Sequence, residues 1–195
     1  FRTKKMILPI RAFGDSVLRK KAHEIEKDYP ELQNLIDNMF ETMYGANGIG
    51  LAAPQIGLDI RLFVVDVSPL SDDEDYEDIA EELKDFKKVF INAKILEESG
   101  EEWKFNEGCL SIPEVREDVK RKSTIKIEYY DENFVKHTDT FSDIRARVIQ
   151  HEYDHIEGIL FTDHLSALKK KIVKGKLQKI ANGDVNVSYK MRFPK

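Results

Sequence analysis

Two histidines four residues apart, with a glutamate directly after the first, stand in His151-Glu152-Tyr153-Asp154-His155. On a helix that spacing puts both imidazoles on one face, where they can share a metal ion with the Glu152 carboxylate beside it. The chemistry suited to such a group is hydrolysis at a metal, which uses three protein ligands, keeps a fourth position for water and lowers the pKa of that water toward neutrality. Glu152 then serves as general base and acid rather than as a ligand, close enough to take a proton from water and pass it to a departing nitrogen.

The third ligand must come from elsewhere. An HExxH peptidase takes it from downstream, as a histidine six residues past the second or as a glutamate further on. Here the six-residue position is Phe161, Gly158 completes HExxHxxG and no glutamate follows Glu157, so the downstream candidates are His164, Asp163 and Asp184. Upstream lies the one cysteine of the chain, in Glu107-Gly108-Cys109-Leu110-Ser111. A thiolate is a good ligand for zinc or iron(II), which makes Cys109 the preferred third ligand. Cysteine with two histidines suits zinc, iron, nickel or cobalt. Replacing Cys109 separates the readings, because a peptidase built on His164 keeps its metal without it. A noncatalytic metal-binding module would instead survive the loss of Glu152.

The elements that must position these residues can be read from periodicity. Ile144, Val148, His151, Glu152 and His155 form one stripe between Ser142, an expected N-cap, and Gly158, an expected stop, so the metal ligands face inward on a helix. A second core-facing helix is predicted over 30–44, where Leu32, Leu35, Ile36, Met39, Phe40 and Met43 follow 3,4 spacing, with Pro30 in its first turn and Gly45 as its stop. Residues 48–57 read as a loop in which Gly48 and Gly50 allow close backbone approach and Gln55 offers both a donor and an acceptor. The loop leads to a buried strand over 60–67. Residues 68–86 are acidic and read as a solvated insertion with a short helix near 79–83. Strand character resumes over 89–96, a hairpin is predicted from 124–130 and 134–141, a helix begins at His164 and is weakened at Gly175, and 185–193 alternates as a terminal strand. His23 and His137 read as surface residues. The order of elements predicts an α+β fold, with antiparallel β-sheets around a central HExxH helix, in a single domain spanning 1–195.

The length of 195 residues suits one domain with a real core. The chain carries 31 Lys and Arg against 36 Asp and Glu, a formal charge of -5, which gives no global footprint for nucleic acid; a DNA partner is not expected. One cysteine forms no internal disulfide, and no apolar run suits a signal sequence or membrane span, so a reducing, cytoplasmic compartment is expected. Residues 1–5 precede Met6 and read as upstream sequence.

Three stretches taken together, Gly48-Ile49-Gly50-Leu51-Ala52-Ala53-Pro54-Gln55, EGCLS at 107–111 and HEYDH at 151–155, resemble the signature motifs of the peptide deformylases in that family's order. The resemblance implies hydrolysis of the formyl group on the initiator methionine of newly made polypeptides, releasing formate. It implies Cys109, His151 and His155 as metal ligands, with Gln55 and the backbone N–H of Leu110 stabilising the negative oxygen of the transition state. It also implies iron(II) as the working ion, with zinc a stable but weaker substitute and nickel or cobalt able to replace it. The methionine side chain then needs an apolar slot. Ile49 and Val148 are expected to line it with Ile144 and Phe105, while backbone at Gly50 pairs with the extended peptide and Arg116 contacts the peptide further along. Glu107 is expected to pair with Arg121 or to orient Gln55, and Asp154 to turn away from the ligand face. The acidic insertion and the strand-like tail depart from the simplest bacterial members, which end in a helix. A lysine-rich helix over 169–179 suits docking on ribosomal RNA, as the ending helix does in some relatives; a solvated face is the competing reading. The sequence leaves the oligomeric state open.

Overall fold

The computed structural model describes residues 4–195, so the first three residues of the upstream segment lie outside it. The chain opens with a short strand, β1 (Ile10–Arg11), and reaches its first long element at α1 (Leu32–Gly45). Ile36, Met39, Phe40 and Met43 of α1 are buried, as 3,4 spacing requires. Pro30 lies ahead of this helix rather than in its first turn, and Gly45 is its last residue rather than its stop.

The stretch read as a loop is more ordered than expected. Gly50–Ala52 forms a buried strand, β2, and Ala53–Ile56 a 3-10 turn. Strand β3 (Leu62–Asp66) is buried at every position, which is why Leu62 to Val65 is a continuous apolar run rather than an alternation, and its last residue, Asp66, accepts from the Tyr44 and Ser68 hydroxyls. The acidic insertion is not merely solvated. It folds into two 3-10 stretches and a single helical turn, α2 (Ala80–Leu83), whose Leu83 is buried. Leu70, Tyr76 and Ile79 pack on the same core cluster, while the acids from Asp72 to Asp75 stay exposed.

Three further strands complete a five-stranded sheet: β4 (Lys87–Cys109), β5 (Ile112–Tyr130) and β6 (Lys136–Ser142), in the order β2-β3-β4-β5-β6 with every pairing antiparallel. The β4–β5 hairpin runs well past the predicted 89–96. Its ladder extends from Ile91 opposite Tyr130 to Cys109 opposite Ile112, leaving Leu110 and Ser111 as the turn.

Helix α3 (Asp143–Ile156) carries the HEYDH motif and packs against β2, β3, β5 and β6. Ser142 holds the N-cap position without capping; its hydroxyl bonds with Thr124 Oγ1, and the Asp143 carboxylate takes the Arg145 N–H instead. Helix α4 (Ala167–Ala181) starts after His164, with Ser166 accepting the Lys169 N–H. The tail forms ladder pairs only at β7 (Met191–Arg192), parallel to β1, so most of the expected terminal strand is irregular chain with a bend at Ser188 and Tyr189. No helix among the described residues is long and apolar enough to cross a membrane.

Candidate metal centre

Cys109 ends β4, and His151 and His155 project from α3. Their ligand atoms all lie within 4.8 Å of one another, with Cys109 Sγ 3.3 Å from His155 Nε2. The downstream alternatives go elsewhere. His164 Nε2 bonds Asp154 Oδ2 at 2.8 Å, Asp163 accepts from Arg19 at 2.6 Å, and Asp184 borders a separate groove beside α4.

The donor set fits a divalent ion. Burial drives the His155 pKa down to about 3, so its ring is neutral, as a ligand must be. His151 donates from Nδ1 to Glu107 Oε1 at 2.9 Å, which leaves Nε2 for the centre. Burial opposes a charge on His151, yet hydrogen bonds to Cys109 and Glu107 raise its pKa well above the ordinary value. A cation bound there would take the place of that proton, with the Cys109 sulfur as its thiolate ligand. The resulting thiolate and two imidazoles are a zinc- or iron-type set.

Glu107 is the hub behind these ligands. Its carboxylate accepts from Arg121 Nε at 2.8 Å and Nη2 at 3.0 Å, from Arg147 Nη1 at 2.9 Å and from His151. Burial raises its pKa, but the bonds from His151 and Arg121 outweigh that and hold it well below the carboxylate range. It stays anionic and fixes the His151 ring. Of the two partners the sequence suggested, Arg121 is the one bonded. Arg147 was not foreseen, although it lies four residues before His151 on the same helical face, where a charged residue in an apolar stripe is a signal. Asp154 accepts from Arg121 Nη1 at 2.8 Å and so supports the network from behind.

Glu152 is buried against β2. A Cβ at Gly50 would fall 2.6 Å from Glu152 Oε1, so this close approach requires glycine. Glu152 Oε2 has no hydrogen-bond partner among the described residues. Burial raises its carboxyl pKa to about 7, and a cation among the three ligands would draw it down. Gln55 Oε1 accepts the Ala52 N–H at 2.9 Å, which turns its amide NH2 toward Ser111 Oγ at 3.2 Å and Cys109 Sγ at 3.5 Å.

A cleft of about 920 Å³ runs past Cys109, His151 and Glu152. Ile49, Gly50, Phe105, Ile144 and Val148 line it, as does Leu110 of the hairpin turn. Arg116 borders it too, but its guanidinium is bonded to the Asn106 side chain at 2.9 Å and carbonyl at 2.7 Å rather than to an acid. Two linings were not foreseen: Leu70 and Tyr76 from the insertion, and residues 186–189 of the tail.

Inward-facing ligands on a helix held by an antiparallel sheet, with a carboxyl beside them and an open cleft, define a metal-dependent hydrolase. The family model described as polypeptide deformylase matches residues 7–171. The peptide deformylase of Christiangramia forsetii is 63% identical over 190 residues, covering 97% of each chain, and that of Flavobacterium johnsoniae is 60% identical over 189 residues, covering 96% of each. The crystal structure of a peptide deformylase from Legionella pneumophila superposes with a TM-score of 0.77 at 36% identity, over 92% of this chain and 98% of that one. With this similarity spanning nearly its whole length, the chain belongs to the peptide deformylase family, metal-dependent hydrolases that remove the formyl group from N-formylmethionine.

Proposed function

We propose that this enzyme frees the initiator methionine of newly synthesised polypeptides from its formyl group by means of five side chains and one backbone N–H. Cys109, His151 and His155 hold one divalent ion, Glu152 moves the proton, and Gln55 with the Leu110 N–H stabilises the developing oxyanion. The observation that carries this reading is the buried carboxyl of Glu152, with one oxygen unpartnered among the described residues, next to three converging ligands. A bound ion supplies a Lewis acid and water ionisable at neutral pH. Glu152 takes the proton of the attacking water and delivers it to the leaving amine nitrogen. The Gln55 NH2, turned by its bond to Ala52, donates to the oxygen that gains charge.

The methionine side chain fits among Ile49, Phe105, Ile144 and Val148. Strand β2 lies at the edge of the sheet, so backbone at Gly50 is suited to pair with an extended peptide, with Arg116 further along. A formyl carbon carries only hydrogen on one side, so a crowded centre admits it and rejects bulkier acyl groups. Iron(II) is the working ion, replaceable by zinc, nickel or cobalt, in one catalytic domain acting on nascent chains in the cytoplasm. Lys170, Lys171 and Lys174 are exposed on α4 and suit phosphate contacts to ribosomal RNA. A solvated helix face explains the same lysines, and ribosome co-sedimentation unchanged by their neutralisation would remove the docking role.

The direct test is formate release from a formyl-Met tripeptide by protein prepared without oxygen and loaded with iron or nickel. Glu152→Ala should keep its metal and lose at least about 100-fold in rate. Absence of release from folded, metal-loaded wild type would overturn the reading. Equal turnover by the iron and zinc forms would overturn the assignment of iron.

A further inference from the structure

The turn that carries Leu110 is held by three segments from outside its own hairpin. Gln55 Nε2 donates to Ser111 Oγ at 3.2 Å, the Phe13 N–H donates to the Ser111 carbonyl at 2.9 Å, and Tyr189 Oη donates to the Leu110 carbonyl at 2.7 Å. Two of these contacts come from the opposite ends of the chain, and those ends are tied to each other. Ile10 pairs with Met191, the Ile10 N–H donates to the Lys190 carbonyl and the Ala12 N–H to the Arg192 carbonyl, each at 2.9 Å. Tyr189 stands two residues before β7, packed with Leu110 against the core cluster around α1 and β3. Burial, reinforced by the nearby Cys109, raises its pKa to about 12, so the hydroxyl keeps the proton that it donates.

We propose that Tyr189 is a positioning residue for the hydrolysis, fixing through the Leu110 carbonyl the turn from which the Leu110 N–H faces the reacting carbonyl. This rests on the role given above to the Leu110 N–H. A donor aimed at charge that develops only in the transition state contributes to turnover and little to substrate binding. Loosening the turn should therefore show in kcat and leave KM in place.

Tyr189→Phe removes the hydroxyl and keeps the ring. With the full chain loaded with nickel, kcat for a formyl-Met tripeptide should fall about five-fold, the equivalent of one hydrogen bond, while KM and metal content stay at wild-type values. An unchanged kcat, a rise in KM alone, or a fall in kcat that tracks lost metal would each overturn the proposal. Failure of the wild type to release formate would instead count against the reaction, so the two failures are distinguishable.

Discussion

A carboxylate that accepts from two guanidinium groups and an imidazole leaves those groups stranded when it loses its charge. Glu107→Gln keeps the shape but leaves Arg147 buried without an anion and Arg121 with Asp154 alone, and the Gln amide must compete for His151. The expected loss is about 3 kcal/mol of stability in chemical denaturation, with metal affinity about 10- to 100-fold weaker by titration; wild-type affinity would show that Glu107 does not orient the ligand. Gly50→Ala tests the opposite contact. Its new methyl must displace the Glu152 carboxyl, and formate release should drop about 100-fold with metal retained; near-normal turnover would mean that Glu152 tolerates the shift. The two residues also mark what was legible at this scale. His151 and His155 were readable because helical geometry links positions four apart. The bonds from Glu107 to Arg147 and His151 span 40 and 44 positions, a separation that no local periodicity reports.

Helix α3 was legible because a local stripe of apolar and chemical residues follows one period. The β4–β5 hairpin was not, because its middle stands away from the core: Glu97, Glu98, Glu101 and Glu102 are all exposed, so no face is marked by apolar residues. Register shifts at 91–94, 95–97 and 99–102 break what alternation remains. The acidic insertion misled for the reverse reason, since its charges outnumber the few apolar residues that anchor it. Leu83 is fully buried there. Leu83→Ala should therefore cost about 2 to 4 kcal/mol in denaturant unfolding. A cost under about 0.5 kcal/mol, usual for a surface site, would return the insertion to a solvated loop.

The α+β class followed from the order of elements, but the closure of the molecule did not, because it depends on pairs distant in sequence such as Ile10 with Met191. The metal centre has the same character. Its ligands come from the end of β4 and from α3, and Gln55 reaches the hairpin turn from the segment after β2. An ion at that junction binds the folded chain and finds no comparable site when the hairpin and helix separate, so its binding free energy adds to stability. At a free concentration 100 times the dissociation constant the gain is about 2.7 kcal/mol, or roughly 5 to 10 °C in melting temperature for a chain of this size. Chelation should remove that increment from the wild type and leave the melt of Cys109→Ala where it was. If chelator lowers both melts equally, the ion is held without the thiolate and the ligand set must be redrawn around the two histidines; if it lowers neither, the folded chain holds no ion at that concentration and the centre is not a metal site of the stated affinity.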